Sequence, residues 1–442
     1  MATPFSSAWS EAVSDQSPAA TSSAPPTRGP NLLRPLRVRD FALMFGGETI
    51  SVLGDQFHFV ALAWLTLQLT GSGLALGGVL MVAAIPRGVL MLVGGALTDR
   101  LAPRDLMLYS NATRALLVGI IAVLVLTEHV VLWHLFAMAA VFGVVDALFY
   151  PASSAIVPML VDEALLPPAN ALIQGSLQLT SLIGPALAGV VVAAVQTGPA
   201  FAFDAVSFAV AATALLFVTG GRRRARSAAE APAPAEGLLS TIGAGLRYVW
   251  HDPAVRAMVF LATAFNFAFT GPLTVGIPYM AIHRFDGGPA AFGILFAGFG
   301  AGALLGALGA GAIARVPRLG AVVLGIGVVL GMAVGSLGLA PNPVIAFALL
   351  ATMGLGLGFI NVHVVSWLQA RTPDEMRGRV MSTVMLGSVG LAPVSYAAAG
   401  AIVDFGAITW LFLAAGVIVL AASLISIASG VAQRMTSEPV AA

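Results

Sequence analysis

The sequence predicts an all-α membrane protein, with twelve transmembrane helices in two pseudo-symmetric six-helix bundles. Three observations lead there. Of 442 residues, 58% are hydrophobic and 9% charged, whereas an average soluble domain is about 25% charged. Apolar stretches of about 18 residues or more recur from Phe41 onward, each long enough to cross about 30 Å of hydrocarbon. Those stretches do not alternate residue by residue, as barrel strands would.

The same arithmetic excludes soluble-enzyme, disordered and fibrous classes. The formal net charge is +1, so no global field points to nucleic acid. All 21 basic residues are Arg, a bias that fits a GC-rich bacterial genome. With no cysteine there is no disulfide, thiolate metal site or cysteine nucleophile.

Residues 1–40 read as a disordered cytoplasmic tail, because 1–30 lack the basic start and apolar run of a signal peptide. The helices are expected at about 41–69, 73–98, 106–127, 131–150, 168–194 and 200–219 in the first half. In the second they are expected at about 254–281, 289–313, 319–339, 343–369, 377–402 and 407–430. Between the halves lies a polar central loop, 220–253, opening with Arg222, Arg223, Arg224 and Arg226. Its last part could form an amphipathic surface helix. Residues 431–442 form a second tail. Bundles 41–219 and 254–430 are nearly equal in length, which suggests internal duplication.

Arg placement sets the orientation. Arg residues precede helix 1, follow helices 2, 6, 8 and 10, and recur in the last tail, as Arg434 does. The opposite loops hold one, Arg284. The positive-inside rule then places both termini in the cytoplasm and favours an even number of spans.

Between helices 2 and 3 the chain reads Gly95-Ala-Leu97-Thr-Asp99-Arg100-Leu-Ala-Pro-Arg104. This resembles the signature loop of the major facilitator superfamily, G-x-L-x-D-R-x-G-R-R/K, with Ala102 and Pro103 departing from it. Opposed charges in such a loop can latch one conformation and release another. A worn copy, Gly309 to Arg318, follows helix 8 and lacks the Asp. Ser51-Val-Leu-Gly54-Asp55, Phe203-Asp204-Ala-Val-Ser207-Phe208 and Pro373-Asp-Glu-Met-Arg377-Gly378-Arg379-Val-Met-Ser382 are similar to segments of the drug:proton antiporter branch. That branch includes macrolide efflux and siderophore exporters. Gly184-Pro185-Ala-Leu-Ala-Gly189 resembles its antiporter motif. Pro breaks a backbone bond and Gly admits a neighbour, so the segment allows a kink and close packing.

Ionisable residues inside spans are costly and functional by default. Glu48, Ser51, Asp55 and His58 fall within about 80° of one face of helix 1, a stripe about 15 Å long. The resemblance points this stripe into a central cavity. Asp55 and Glu48 are therefore candidates for proton coupling or cation binding. His58 is a cavity-lining hydrogen-bonder. Arg87, beside Pro86 in helix 2, needs a partner; Asp55 or Glu48 could pair with it, or it could bind an anionic substrate. Arg114 in helix 3 and Asp146, placed near the cytoplasmic end of helix 4, are expected to join the latch through Arg100 or Arg104. Asp204 and Asp404, near outer helix ends, read as structural. Cavity candidates elsewhere are Gln174 and Gln178 in helix 5, Asn266 and Thr270 in helix 7, and Asn361 and Trp367 in helix 10. Polar amides beside aromatics suit an amphipathic substrate, and interhelical hydrogen bonds almost as well.

No catalytic set, metal cluster, cofactor motif or phosphate loop is visible, so the expectation is neither an enzyme nor an ATP-driven pump. The resemblance implies a proton-coupled exporter of an amphipathic drug, siderophore or secondary metabolite, working by alternating access as a monomer in a bacterial inner membrane. A lipid or nutrient carrier of the same fold stays open, as does a non-transporting receptor or scaffold.

Overall fold

The computed structural model describes residues 32–98, 101–220, 247, 249–313, 316–372, 380, 387 and 390–430, with only the backbone of 91–98 and 254. Most of both tails and of the central loop, with Asp99, Arg100, Arg315 and most of 373–389, lie outside the described residues.

The first bundle consists of α1 (Arg39–Thr70), α2 (Gly73–Thr98), α3 (Pro103–Leu126), α4 (Leu132–Leu160), α5 (Leu166–Val195) and α6 (Thr197–Phe217). The second consists of α7 (Val255–His283), α8 (Gly288–Ala312), α9 (Leu319–Leu337), α10 (Pro343–Arg371), α11 (Ala392–Asp404) and α12 (Ile408–Ala428). Eleven of these are long and apolar enough to cross a bilayer. The described part of α11 is the thirteen-residue exception, and it stands where the eleventh span was expected. No strand occurs among the described residues. The described spans are helical, the form that satisfies most backbone groups within the segment, as hydrocarbon requires.

Two helices depart from expectation. The sequence reading ends helix 4 at 150, before Pro151, yet α4 continues to Leu160 through Pro151 and Pro158. Just past Pro151 the Ser153 and Ser154 hydroxyls donate to the Tyr150 carbonyl at 2.9 and 3.2 Å, and a spanning helix packed among neighbours tolerates an internal Pro. α7 is interrupted by a π turn at Pro272–Gly276. There the α11 residue Ser395 inserts its hydroxyl, accepting from the Gly271 N–H at 2.8 Å and donating to the Phe267 carbonyl at 2.6 Å. An inserted side chain is a recognised cause of such irregularity.

Within the first bundle α1 packs on α5 and α6, α3 on α4 and α6, and α2 on α4. In the second, α8 packs on α10, α9 on α10 and α12, and α7 on α11 and α12. The bundles meet along two pseudo-equivalent seams, α5 on α8 and α2 on α11. Both seams are tightest away from the termini face, the side bearing the start of α1 and the end of α12. A Cβ built on Gly189 would lie 2.5 Å from the Pro289 carbonyl oxygen and 3.0 Å from the Gly293 Cα. The antiporter-like segment therefore does more than kink α5. Its Gly189 and the Pro185 carbonyl seat α8, while Gly184 receives the Gln56 side chain of α1.

Gly293→Leu should therefore lower stability by about 1–3 kcal/mol through overpacking. Gly309→Leu should be tolerated, since nothing lies within 4 Å of a Cβ there. Thermal unfolding of the purified protein checks this; equal midpoints for the two variants would contradict the seam.

Candidate functional site

A cavity of about 820 Å³ lies in the first bundle, lined by α1, α3, α4 and α5. It runs from mid-span, at Asp55, His58 and Asp146, toward the termini face at Met44, Val157 and Asn170. Helical spacing brings the α1 stripe to it: Glu48, Asp55 and His58 all line it. Ser51 does not, being packed away at 2% exposure.

Each charge around the cavity has a distinct environment. Glu48 accepts from the Asn111 amide of α3 at 2.9 Å. Arg114 donates to Asp146 of α4, and its guanidinium lies 4.3 Å from the Phe149 ring centre, a cation–π geometry. Arg87 of α2 stands 3.7 Å from the other Asp146 oxygen. It also lies beside Tyr396 of α11, across the bundle seam. Asp146 is thus shared between two guanidinium groups. Asp55 faces the cavity with no hydrogen-bond or ion-pair partner among the described residues.

Two sequence expectations are corrected here. Arg87 pairs with Asp146 rather than with Asp55 or Glu48. Asp146 in turn is no cytoplasmic latch residue: it lies fourteen residues before the end of α4, about 21 Å along the axis. It looks terminal only when helix 4 is taken to end at 150, ten residues before α4 does. Arg104 holds the end of α6, donating to the Leu215 and Leu216 carbonyls at 2.8 and 3.0 Å and to Asp105 at 2.7 Å. A cation there complements the helix C-terminus. Gly95 lies in the last turn of α2, while Asp99 and Arg100 are outside the described residues.

Asp204 is fully buried and accepts from His58 Nδ1 at 3.0 Å. The His58 ring also stacks on Phe142 with centroids 5.0 Å apart. This pair explains why two of the sequence segments occur together. Gly54 of α1 has no side chain where Asp204 and Ser207 of α6 press in; a Cβ there would lie 2.6 Å from Asp204 Oδ1. The signal for His58–Asp204 was present, since a buried His and a buried Asp each need a partner.

The remaining candidates divide. Gln174 lines the main cavity; Gln178 is exposed and lines no described cavity. Asn266 and Thr270 line a second cavity of about 280 Å³ in the other bundle, among Phe265, Phe269, Phe296 and Phe299. Asn361 is exposed. Trp367 is buried, 5.5 Å from the Arg371 guanidinium, which pairs with Asp252 at 3.0 Å. That places it at the helix end rather than in a cavity.

Gly54→Ala should cost about 1–3 kcal/mol through overpacking against Asp204 and Ser207. Adding Ser207→Ala should restore part of it. Unfolding midpoints of the single and double variants decide; strict additivity would contradict the contact.

Comparison with known proteins agrees with this architecture. A family model described as transmembrane secretion effector, a major facilitator family, matches residues 31–441. The multidrug efflux pump Tap of Mycolicibacterium fortuitum is 27% identical over 88% of this chain and 92% of its own. Macrolide efflux protein A of Streptococcus pyogenes is 20% identical over 87% and 94%. Among solved structures, a POT family transporter in complex with 5-aminolevulinic acid superimposes with TM-score 0.70 at 15% identity, covering 90% of this chain and 97% of its own. The nucleoside transporter NupG gives 0.68 at 12%, covering 89% and 98%. The two-bundle fold with its glycine seams and the match along nearly the whole chain together lead to one assignment: the protein belongs to the transmembrane secretion effector family of the major facilitator superfamily.

Proposed function

We propose that the chain is a proton-coupled exporter of amphipathic small molecules, working as a monomer in a bacterial inner membrane with both termini in the cytoplasm. One observation supports this reading: among the described residues Asp55 has no hydrogen-bond or ion-pair partner, and it faces a cavity whose other charged groups each have one. A lone intramembrane carboxylate can exist neutral, or charged opposite a cation. It is therefore suited to hold either a proton or the cationic end of a cargo.

The rest of the site supports the same cycle. The cavity extends toward the termini face and the seams are tight on the other, the arrangement of an exporter awaiting cargo from the cytoplasm. Phe142, Phe149 and Tyr150 beside the acids suit an amphipathic molecule with an apolar body. Cargo enters and displaces the proton from Asp55, and the bundles rock. A proton from outside then replaces the cargo and the bundles return. Glu48, about two turns nearer the termini face, provides a second carboxylate on the way in. The names of the efflux relatives favour export over uptake.

The deciding experiment measures cellular accumulation of a panel of fluorescent amphiphiles and macrolides, with and without a protonophore. Cells with the protein should accumulate less of at least one compound. Asp55→Asn should raise accumulation to that of protonophore-treated cells. Efflux unchanged in Asp55→Asn, with normal amounts in the membrane, contradicts the proton site; no efflux of any compound contradicts the multidrug reading.

The shared Asp146 yields a second outcome. Asp146→Asn leaves two guanidinium groups facing each other without their carboxylate, a loss of about 1–3 kcal/mol at this partly exposed site. Adding Arg87→Gln should recover part of that loss. Thermal unfolding of both variants tests it; a double variant less stable than Asp146→Asn contradicts the sharing.

A further inference from the structure

Asp404 ends α11 in the second bundle, and its carboxylate sits on the start of α2 in the first. Oδ1 accepts from the Gly73 N–H at 2.5 Å. Oδ2 accepts from the Ser72 hydroxyl at 2.5 Å and from the Leu74 N–H at 3.2 Å. Ser72 Oγ in turn accepts from the Ala75 N–H at 3.0 Å. The first N–H groups of a helix have no partner within it. The first two of α2, on Gly73 and Leu74, are satisfied from the opposite bundle, by a charge of the sign that a helix N-terminus favours.

The backbones close in around this contact. A Cβ on Gly400 would lie 2.5 Å from the Gly73 carbonyl oxygen and 2.8 Å from the Leu74 Cα. A Cβ on Gly73 would lie 2.8 Å from Val403 Cγ1. The pseudo-equivalent seam between α5 and α8 has the same close approach, yet no side-chain hydrogen bond joins those helices among the described residues. The duplication is therefore broken at this point: one seam is packed, the other packed and clamped.

We propose that Asp404 is the positioning residue of the far gate: its carboxylate clamps α2 to α11 and must let go before the face opposite the termini opens. Asp404 touches neither cargo nor proton site. It sets how much of the protein is closed on the far side at any moment. Loss of the clamp should favour the far-open state on the order of tenfold, the worth of a charge-assisted bond network of this size. The inference shares with the export reading only the rocking of two bundles. Its test reads bundle separation rather than flux, so a wrong cargo or coupling ion leaves it untouched.

The absence of cysteine makes the whole chain a clean background for labelling. One nitroxide pair, at Val131→Cys and Leu339→Cys, spans the far face; another, at Leu101→Cys and Arg318→Cys, spans the termini face. All four sites are exposed. Pulsed electron resonance distances are then measured on the full-length protein in lipid nanodiscs. The parent should give a short far-face distance. Asp404→Ala should add a longer far-face population and shorten the termini-face distance in step. Asp404→Asn keeps one carbonyl acceptor and Ser72→Ala removes one donor, so each should shift less in the same direction. Unchanged distributions at both faces in Asp404→Ala, with the parent's unfolding temperature, would overturn the proposal. If Asp404→Ala does not fold, unchanged distributions in both milder variants would overturn it equally.

Discussion

A charge inside a bilayer must find a partner or give up its charge, and the first bundle is organised around that constraint. Arg87 and Arg114 converge from α2 and α3 on the one carboxylate of Asp146. His58 of α1 meets Asp204 of α6, and Glu48 is held by Asn111. These links cross every helix of the bundle except α5, so satisfying the charges also fixes the packing. Against this background Asp55 is the exception, and its surroundings are a cavity rather than a partner. The second bundle differs: its cavity is lined by phenylalanines with a few neutral polar groups.

Motion imposes a second requirement. Hydrocarbon supplies no driving force to press one bundle on the other, so backbones must approach closely enough for dispersion and short polar contacts to hold them. Glycines at 189 and 293 on one seam, and at 73 and 400 on the other, permit that approach. The polar links across the seams are few. Asp404 holds the start of α2, and Arg87 reaches Tyr396. Arg87 thus joins the charge cluster around Asp146 to the helix that must move, and a change of charge near Asp146 has a direct path to the seam.

Much of this was legible in the residues. The helix count and the two bundles follow from apolar run length and the placement of Arg. The stripe on α1 follows from the spacing of Glu48, Asp55 and His58. What periodicity could not reveal was which helix each charge would meet, since pairing depends on packing between distant segments. The Asp146 error shows the reason in physical terms. Helix 4 was expected to end at 150, but a spanning helix tolerates an internal Pro, and α4 runs on through Pro151 for ten residues. That extension moves Asp146 from near the end of its helix to mid-span and changes its partners. Likewise the segments around Gly54 and Asp204 were seen as separate marks of one family, yet they are two sides of one contact.

The most direct test of the account is proton-driven transport in proteoliposomes, using the compound that cells expel most strongly. The lumen is made acidic, and accumulation is followed alongside lumenal pH. Wild type should concentrate the compound against its gradient and release protons in proportion. Asp55→Asn should still exchange the compound down its own gradient while ignoring the pH difference. Accumulation by Asp55→Asn that is as strongly driven by the pH gradient as in wild type would contradict the claim that the unpaired carboxylate carries the coupling proton.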